Sequence, residues 1–178
     1  MRATRSLLAA MVLGTAIGAS QANAQCSSNT GSCNTTNTAS VTVGALVKLG
    51  MSSATTTLTA PSVTDIESAL SLDNAGPTFT VKANRSWTLK VKSFNATNFD
   101  YLGTDSGVKP ISDLSWATTS GGSYSAITAS DATVASGASS NSTAVNSFFR
   151  TSWAGGFSAA SNAPGTYSLP IVFTLTAP

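Results

Sequence analysis

Val41, Val43, Ala45, Val47, Leu49 and Met51 alternate with Thr42, Gly44, Leu46, Lys48 and Gly50, the period of two that a strand with one buried face requires. Leu46 is the one apolar residue out of phase. The end of the chain repeats the pattern, with Tyr167, Leu169, Ile171, Phe173 and Leu175 against Ser168, Pro170, Val172, Thr174 and Thr176. Pro170 has no N–H to give to a ladder, so an edge or a bulge is expected there. Further short strands are predicted over residues 57–60, 78–83, 87–93, 111–117, 124–128 and 145–153. Gly76-Pro77, residues 103–107, Gly121-Gly122 and Gly155-Gly156 are read as the turns between them. Many short strands separated by turns predict an all-β fold, a single immunoglobulin-like antiparallel β-sandwich. One short helix is predicted over residues 64–70, where Thr64 and Glu67 have capping-box spacing.

Parity gives one sharper expectation. Phe79, Val81 and Ala83 are in phase with Trp87, Leu89 and Val91, and both sets should face one core. A three-residue hairpin loop, Asn84-Arg85-Ser86, would pair Ala83 with Trp87 and keep that phase, whereas a two-residue loop would invert it. The alternative is a bend that sends the two segments into different sheets.

The first residues lack this alternation. A basic head with Arg2 and Arg5 precedes an apolar run from Leu7 to Ile17 and an Ala22-Asn23-Ala24 site, the three parts of a secretory signal in order. The apolar run is about half of the roughly 20 residues that span a bilayer. Residues 1–24 are therefore expected to be a cleaved signal peptide, leaving no membrane-spanning segment in a mature chain that works in the periplasm, at the cell surface or outside the cell. Residues 25–37 read as a flexible polar arm of Ser, Thr, Asn and Gly, and residues 38–178 as the sandwich. Cys26 and Cys33, the two cysteines of the chain, are expected to close a disulfide loop in an oxidising compartment. Such a loop contributes about 2.5 kcal/mol in the chain-entropy model, and only to the arm that carries it.

Charge and chemistry narrow the function. The net charge of +2 comes from Arg2 and Arg5, so the remaining seven basic residues balance seven acidic ones. A neutral chain carries no electrostatic footprint for nucleic acid. With no histidine, the Ser-His-Asp and Cys-His arrangements and the usual zinc-hydrolase ligands are missing. Asp65, Glu67, Asp73, Asp100, Asp105, Asp113 and Asp131 show no pair placed across a sugar. No enzymatic activity, cofactor or metal is expected, and residues 100–107, DYLGTDSG, are read as a turn in preference to a calcium loop. Trp87 and Trp116 are in phase with Leu89 and Leu114 and are assigned to the core. Trp153, just before Ala154-Gly155-Gly156, is the candidate for an exposed ligand contact.

Trp87-Thr88-Leu89 with Lys90-Val91, and the ending from Pro164-Gly165-Thr166-Tyr167 to Phe173-Thr174-Leu175-Thr176-Ala177-Pro178, resemble the WxL domain of bacterial surface proteins. That resemblance implies a β-rich module held non-covalently on the cell wall through peptidoglycan or another envelope polysaccharide. Trp87, Leu89, Tyr167, Phe173 and Leu175 would be its motif residues, in a structural role. Phe173 stands where that family has a second tryptophan. The Gly-Thr-Tyr ending is also similar to pilin-like and spore-coat-type secreted subunits, which implies the alternative of a structural subunit contacting other surface proteins. Against that alternative, the polar arm lacks the alternating apolar residues that a strand given to a neighbour needs.

Overall fold

In the computed structural model, which describes residues 28, 29 and 31–178, ten strands and one short α-helix follow in the order β1 (Val47–Met51), α1 (Val63–Glu67), β2 (Ser71–Ala83), β3 (Trp87–Ser93), β4 (Asp100–Leu102), β5 (Leu114–Ala117), β6 (Ser125–Ala126), β7 (Ala132–Gly137), β8 (Ser140–Ser152), β9 (Thr166–Ser168) and β10 (Ile171–Thr176). All pairings are antiparallel. One sheet has the order β1-β2-β8-β5-β6, a second β10-β3-β7, and β4 pairs with β9 alone. The fold is an all-β antiparallel sandwich. The signal peptide assigned to residues 1–24 lies outside the described residues. So does the Cys26–Cys33 loop, because Cys26 does. None of the described helices is long and apolar enough to cross a membrane.

The sandwich closes because strands of both sheets bury their in-phase faces against each other. Phe79 and Val81 of β2, Trp87 and Leu89 of β3 and Val145 of β8 form one core cluster. Val91, Phe99, Leu114, Trp116, Ile127 and Phe149 form another. The shared parity of residues 79–83 and 87–91 is thus correct, but the Ala83–Trp87 hairpin pair does not form. Ala83 pairs with Val47 and Ser140, and Trp87 with Gly137. The chain takes the alternative route, bending at residues 84–86 to carry β3 into the opposite sheet. Trp87 fits there because its partner is a glycine: a Cβ on Gly137 would lie 2.9 Å from Trp87 Cζ2.

Other expectations are corrected. Gly76-Pro77 is not a turn but a bulge inside β2, where the register with β8 shifts between Ala75 and Thr78. Pro77 brings no N–H, and its carbonyl accepts from Ser147 Oγ at 2.7 Å, so the interruption is satisfied without ending the strand. The final segment is two strands, not one. It breaks before Ile171, and Pro170 spends its carbonyl on Phe94 N at 2.9 Å. Residues 57–60 form no strand, whereas β7 and β4, the latter inside the stretch read as a turn, do. Residues 111–113 are a 3-10 turn ahead of β5. The helix is capped two residues earlier than expected, by Ser62, whose backbone and side chain donate to Asp65 Oδ2 at 2.7 Å while Ser62 Oγ accepts from Asp65 N. These bonds, the backbone one first, lower the Asp65 pKa.

The largest correction concerns the first predicted strand, which begins at Val47 rather than Val41. Residues 31–42 carry neither helix nor strand and are exposed. Val41 and Val43 are 88% and 68% exposed.

Trp87, 3% exposed, should be a stability anchor. Removing a buried aromatic costs about 3–5 kcal/mol. Trp87→Ala is expected to lower Tm by about 10 °C or more, and Trp153→Ala, at a half-buried position, by distinctly less. Calorimetry of the two variants checks the order, and equal shifts would contradict it.

Candidate functional site

The residue 43–178 unit carries a groove of about 1060 Å³ lined by Met51 and residues 53–61 on one wall, 162–171 and Phe173 on the other, and Phe99, Lys109, Leu114, Phe149, Thr151 and Trp153 on the floor. Its first wall follows from where β1 leaves the sheet. Ser52 N donates to Thr78 O at 3.0 Å, and Thr78 N donates to Ser52 Oγ at 2.9 Å. Beyond that point Ser53 Oγ donates to Thr55 O at 2.6 Å, a local turn in place of a ladder. Leu58 packs against the second core cluster, and the chain hydrogen-bonds to β2 again at Thr59, whose N and Oγ1 both donate to Asn74 Oδ1 at 2.8 Å. Threonines 55, 57 and 59 and Leu58 therefore border an opening where a paired strand would have closed it.

The second wall is held by two tyrosines. Tyr101 Oη donates to Pro164 O at 2.6 Å and Tyr167 Oη to Ala163 O at 2.8 Å, with ring centroids 5.0 Å apart. They fix residues 163–167 and deliver the chain through Leu169-Pro170 into β10. β10 pairs with β3 along one edge, and among the described strands none pairs with its other edge. Its inward residues Ile171, Phe173 and Leu175 pack on the two clusters, yet none is fully buried. Phe173 stacks on Phe79 with centroids 4.3 Å apart.

The floor carries the one charge of the lining. Lys109 is 1% exposed. Its Nζ donates to Asp113 Oδ2 at 3.1 Å and to Ser152 O at 2.6 Å, and sits 4.1 Å from the centre of the Trp153 ring. Burial pushes its pKa down, and Asp113 opposes this. The ammonium is committed to the fold. Thr151 Oγ1 and Trp153 Nε1, by contrast, are buried polar atoms with no partner among the described residues. Such atoms are rare in folded proteins and call for a reason.

The lining contains no carboxylate; Asp113 serves Lys109 from behind the floor, and Asp73 and Asp131 are paired elsewhere. Asp73 accepts two bonds from Arg150, at 2.6 and 2.9 Å, which hold its pKa down. Asp131 lies 3.8 and 3.5 Å from Lys90 and Lys92. Among the described residues no group of three His, Cys, Asp or Glu side chains is placed to hold a metal ion.

The residues singled out in the sequence separate into two places. Trp87 and Leu89 are in the core, and β3 pairs with β10 so that Leu89 faces Leu175 and Val91 faces Phe173. The two motif stretches are thus neighbouring strands. Tyr167, Phe173 and Trp153 line the groove, with Trp153 half-buried. Lys109, Leu58 and Thr151 were not foreseen, because nothing local to them signals a groove; the lysine falls between the turn read at residues 103–107 and the strand predicted over 111–117. No protein-family model, no curated protein and no solved structure matches the chain.

The Lys109–Asp113 pair yields an asymmetric prediction. Asp113→Asn strands a cation whose side chain is 1% exposed, whereas Lys109→Met leaves a carboxylate that is 23% exposed and can be hydrated. Asp113→Asn should therefore be the more destabilising change in urea unfolding. The folded pKa of Lys109 lies below the ordinary lysine value, so between the two values the unfolded chain binds more protons and stability rises with pH. The Asp113→Asn penalty should shrink as pH climbs toward the ordinary lysine range. A penalty that is flat or grows with pH contradicts this account.

Proposed function

We propose that the chain is a non-catalytic binding module that takes an extended apolar segment into the groove between residues 53–61 and β10. The observation that carries this reading is the pairing of an apolar, aromatic lining with an unpartnered strand edge. A free edge offers main-chain bonds to any extended chain, and alternating pockets beside it select the side chains that enter. The N-terminal signal pattern supports action after export, and the groove's lack of carboxylates supports binding without catalysis. A wall polysaccharide, as the WxL resemblance implies, would call for an exposed aromatic platform with polar groups around it. Trp87 is buried, and Trp153 already holds Lys109 against its ring, so a peptide is the better match.

Titration with a short synthetic peptide alternating valine and threonine, followed by tryptophan emission, tests the reading. A saturable change that disappears in Trp153→Phe is expected. Isolated cell walls should not pull the protein into the pellet above a control. Sedimentation with walls, together with no response to the peptide, would make the envelope polymer the ligand instead.

A further inference from the structure

Leu46, the one apolar residue out of phase in the first alternation, belongs to a second surface. It faces Asn84 across the ladder, its N donating to Asn84 Oδ1 at 2.8 Å and its carbonyl accepting from Asn84 N at 3.2 Å. The next pairs are Val47 with Ala83 and Lys48 with Lys82. Residues two apart on a strand share a face, so Leu46, Lys48 and Lys82 stand together on the side of the sheet turned away from the core. Leu46 is 62% and Val47 46% exposed. With Ser140 and Asn141 of β8 these residues line an open depression of about 450 Å³. The register between β2 and β8 shifts here, between Val81 and Ala83, and such irregularities re-aim the side chains around them.

The charge at this end is uncompensated. Of the seven basic residues after Arg5, Lys90, Lys92, Lys109 and Arg150 each pair with an aspartate. Lys48, Lys82 and Arg85 enter no ion pair among the described residues, and Arg85 stands in the bend just past Lys82. Asp73, the acidic residue of β2, is about 30 Å away along the strand and is held by Arg150. Like charges directly opposite on neighbouring strands repel. Lys48 alone would be an ordinary charge on an edge strand, but Lys82 is on β2, inside the sheet, and an exposed leucine shares their face. We propose that this face docks on an anionic lipid bilayer, with Lys48, Lys82 and Arg85 at the level of the phosphates and Leu46 at the acyl boundary. A soluble anion in so open a depression stays in water, where each lysine contributes little. A bilayer supplies a plane of negative charge with an apolar layer beneath it, and so uses the leucine as well as the cations. The docking face is independent of the peptide groove, whose lining shares none of these residues.

The experiment follows the backbone amide signals of the full 178-residue chain by nuclear magnetic resonance as bicelles are added, made of phosphatidylcholine alone or mixed with phosphatidylglycerol and carrying a spin-labelled lipid. Reading by residue is needed because Arg2, Arg5 and the apolar run from Leu7 to Ile17 have lipid affinity of their own. Amides of residues 46–48, 82–85 and 140–141 should broaden with the anionic bicelles and not with phosphatidylcholine, and the effect should fade as salt rises. Lys48→Gln combined with Lys82→Gln should raise the lipid needed for half-broadening about 25-fold, about fivefold for each charge. Both lysines are exposed, so Tm should hold or rise as their repulsion is removed. Leu46→Ser should raise the lipid requirement about tenfold, and Lys90→Gln, on the other sheet, should leave it unchanged. Broadening confined to other residues, equal broadening with phosphatidylcholine, or a double variant that behaves as wild type overturns the proposal. So does lipid affinity that Leu46→Ser leaves intact while dextran sulfate shifts the same amides, a result that makes a soluble polyanion the partner.

Discussion

The contact between the in-phase faces of β2 and β3 across the sandwich organises the rest of the molecule. Phe79, Val81, Trp87 and Leu89 are all nearly or completely buried. They come from strands that are consecutive in the chain but lie in opposite sheets. Apolar burial is non-directional, so sharing a core does not require sharing a ladder. The bend at residues 84–86 keeps every apolar side chain inside and leaves β2 free to pair with β1 and β8 on its two edges. That arrangement makes β2 central and sends β3 to hold β10 and β7.

It also leaves one side of the sandwich unfinished. Each sheet ends on that side in a strand with a single partner, β1 in one and β10 in the other. β1 keeps its ladder for only five residues before the chain departs at Ser52. Below that point, Phe173 and Ile171 lean on the core without being covered. Native sheets usually blunt such edges with charge, proline or a covering loop. Here Pro170 stands just before β10, and Ile171 and Phe173 of that edge strand line the groove.

Burial is uneven around that groove in a way that separates scaffold from site. Lys109 is fully engaged by Asp113, the Ser152 carbonyl and the Trp153 ring, so its charge stiffens the floor instead of recruiting a ligand. Thr151 Oγ1 is within the same floor and has no such engagement. The tyrosine pair Tyr101 and Tyr167 pins the opposite wall through backbone carbonyls. A rigid floor and one rigid wall face a wall at residues 53–58 that is held mainly by its own turn, and this is where accommodation of an occupant would be least costly.

The amino-acid sequence by itself determined which side chains face inward. The parity of Phe79, Val81, Trp87, Leu89 and Val91, and the assignment of Trp87 and Trp116 to the core, follow from the two-residue repeat of a strand, a local property. It also determined the all-β class through many short alternating runs. Where each run stops was decided elsewhere. Alternation from Val41 to Met51 looks continuous, but a residue is a strand residue only where another strand meets its N–H and C=O, and β2 offers that partner to residues 47–51 alone. Likewise Gly76-Pro77 has turn composition but is a bulge because Ser147 satisfies the proline carbonyl, and Pro170 divides two strands because Phe94 claims its oxygen. The groove is illegible in sequence for the same reason. It consists of a missing partner, assembled from residues near 58, 109, 151 and 170, and only long-range pairing decides which edge is left without one.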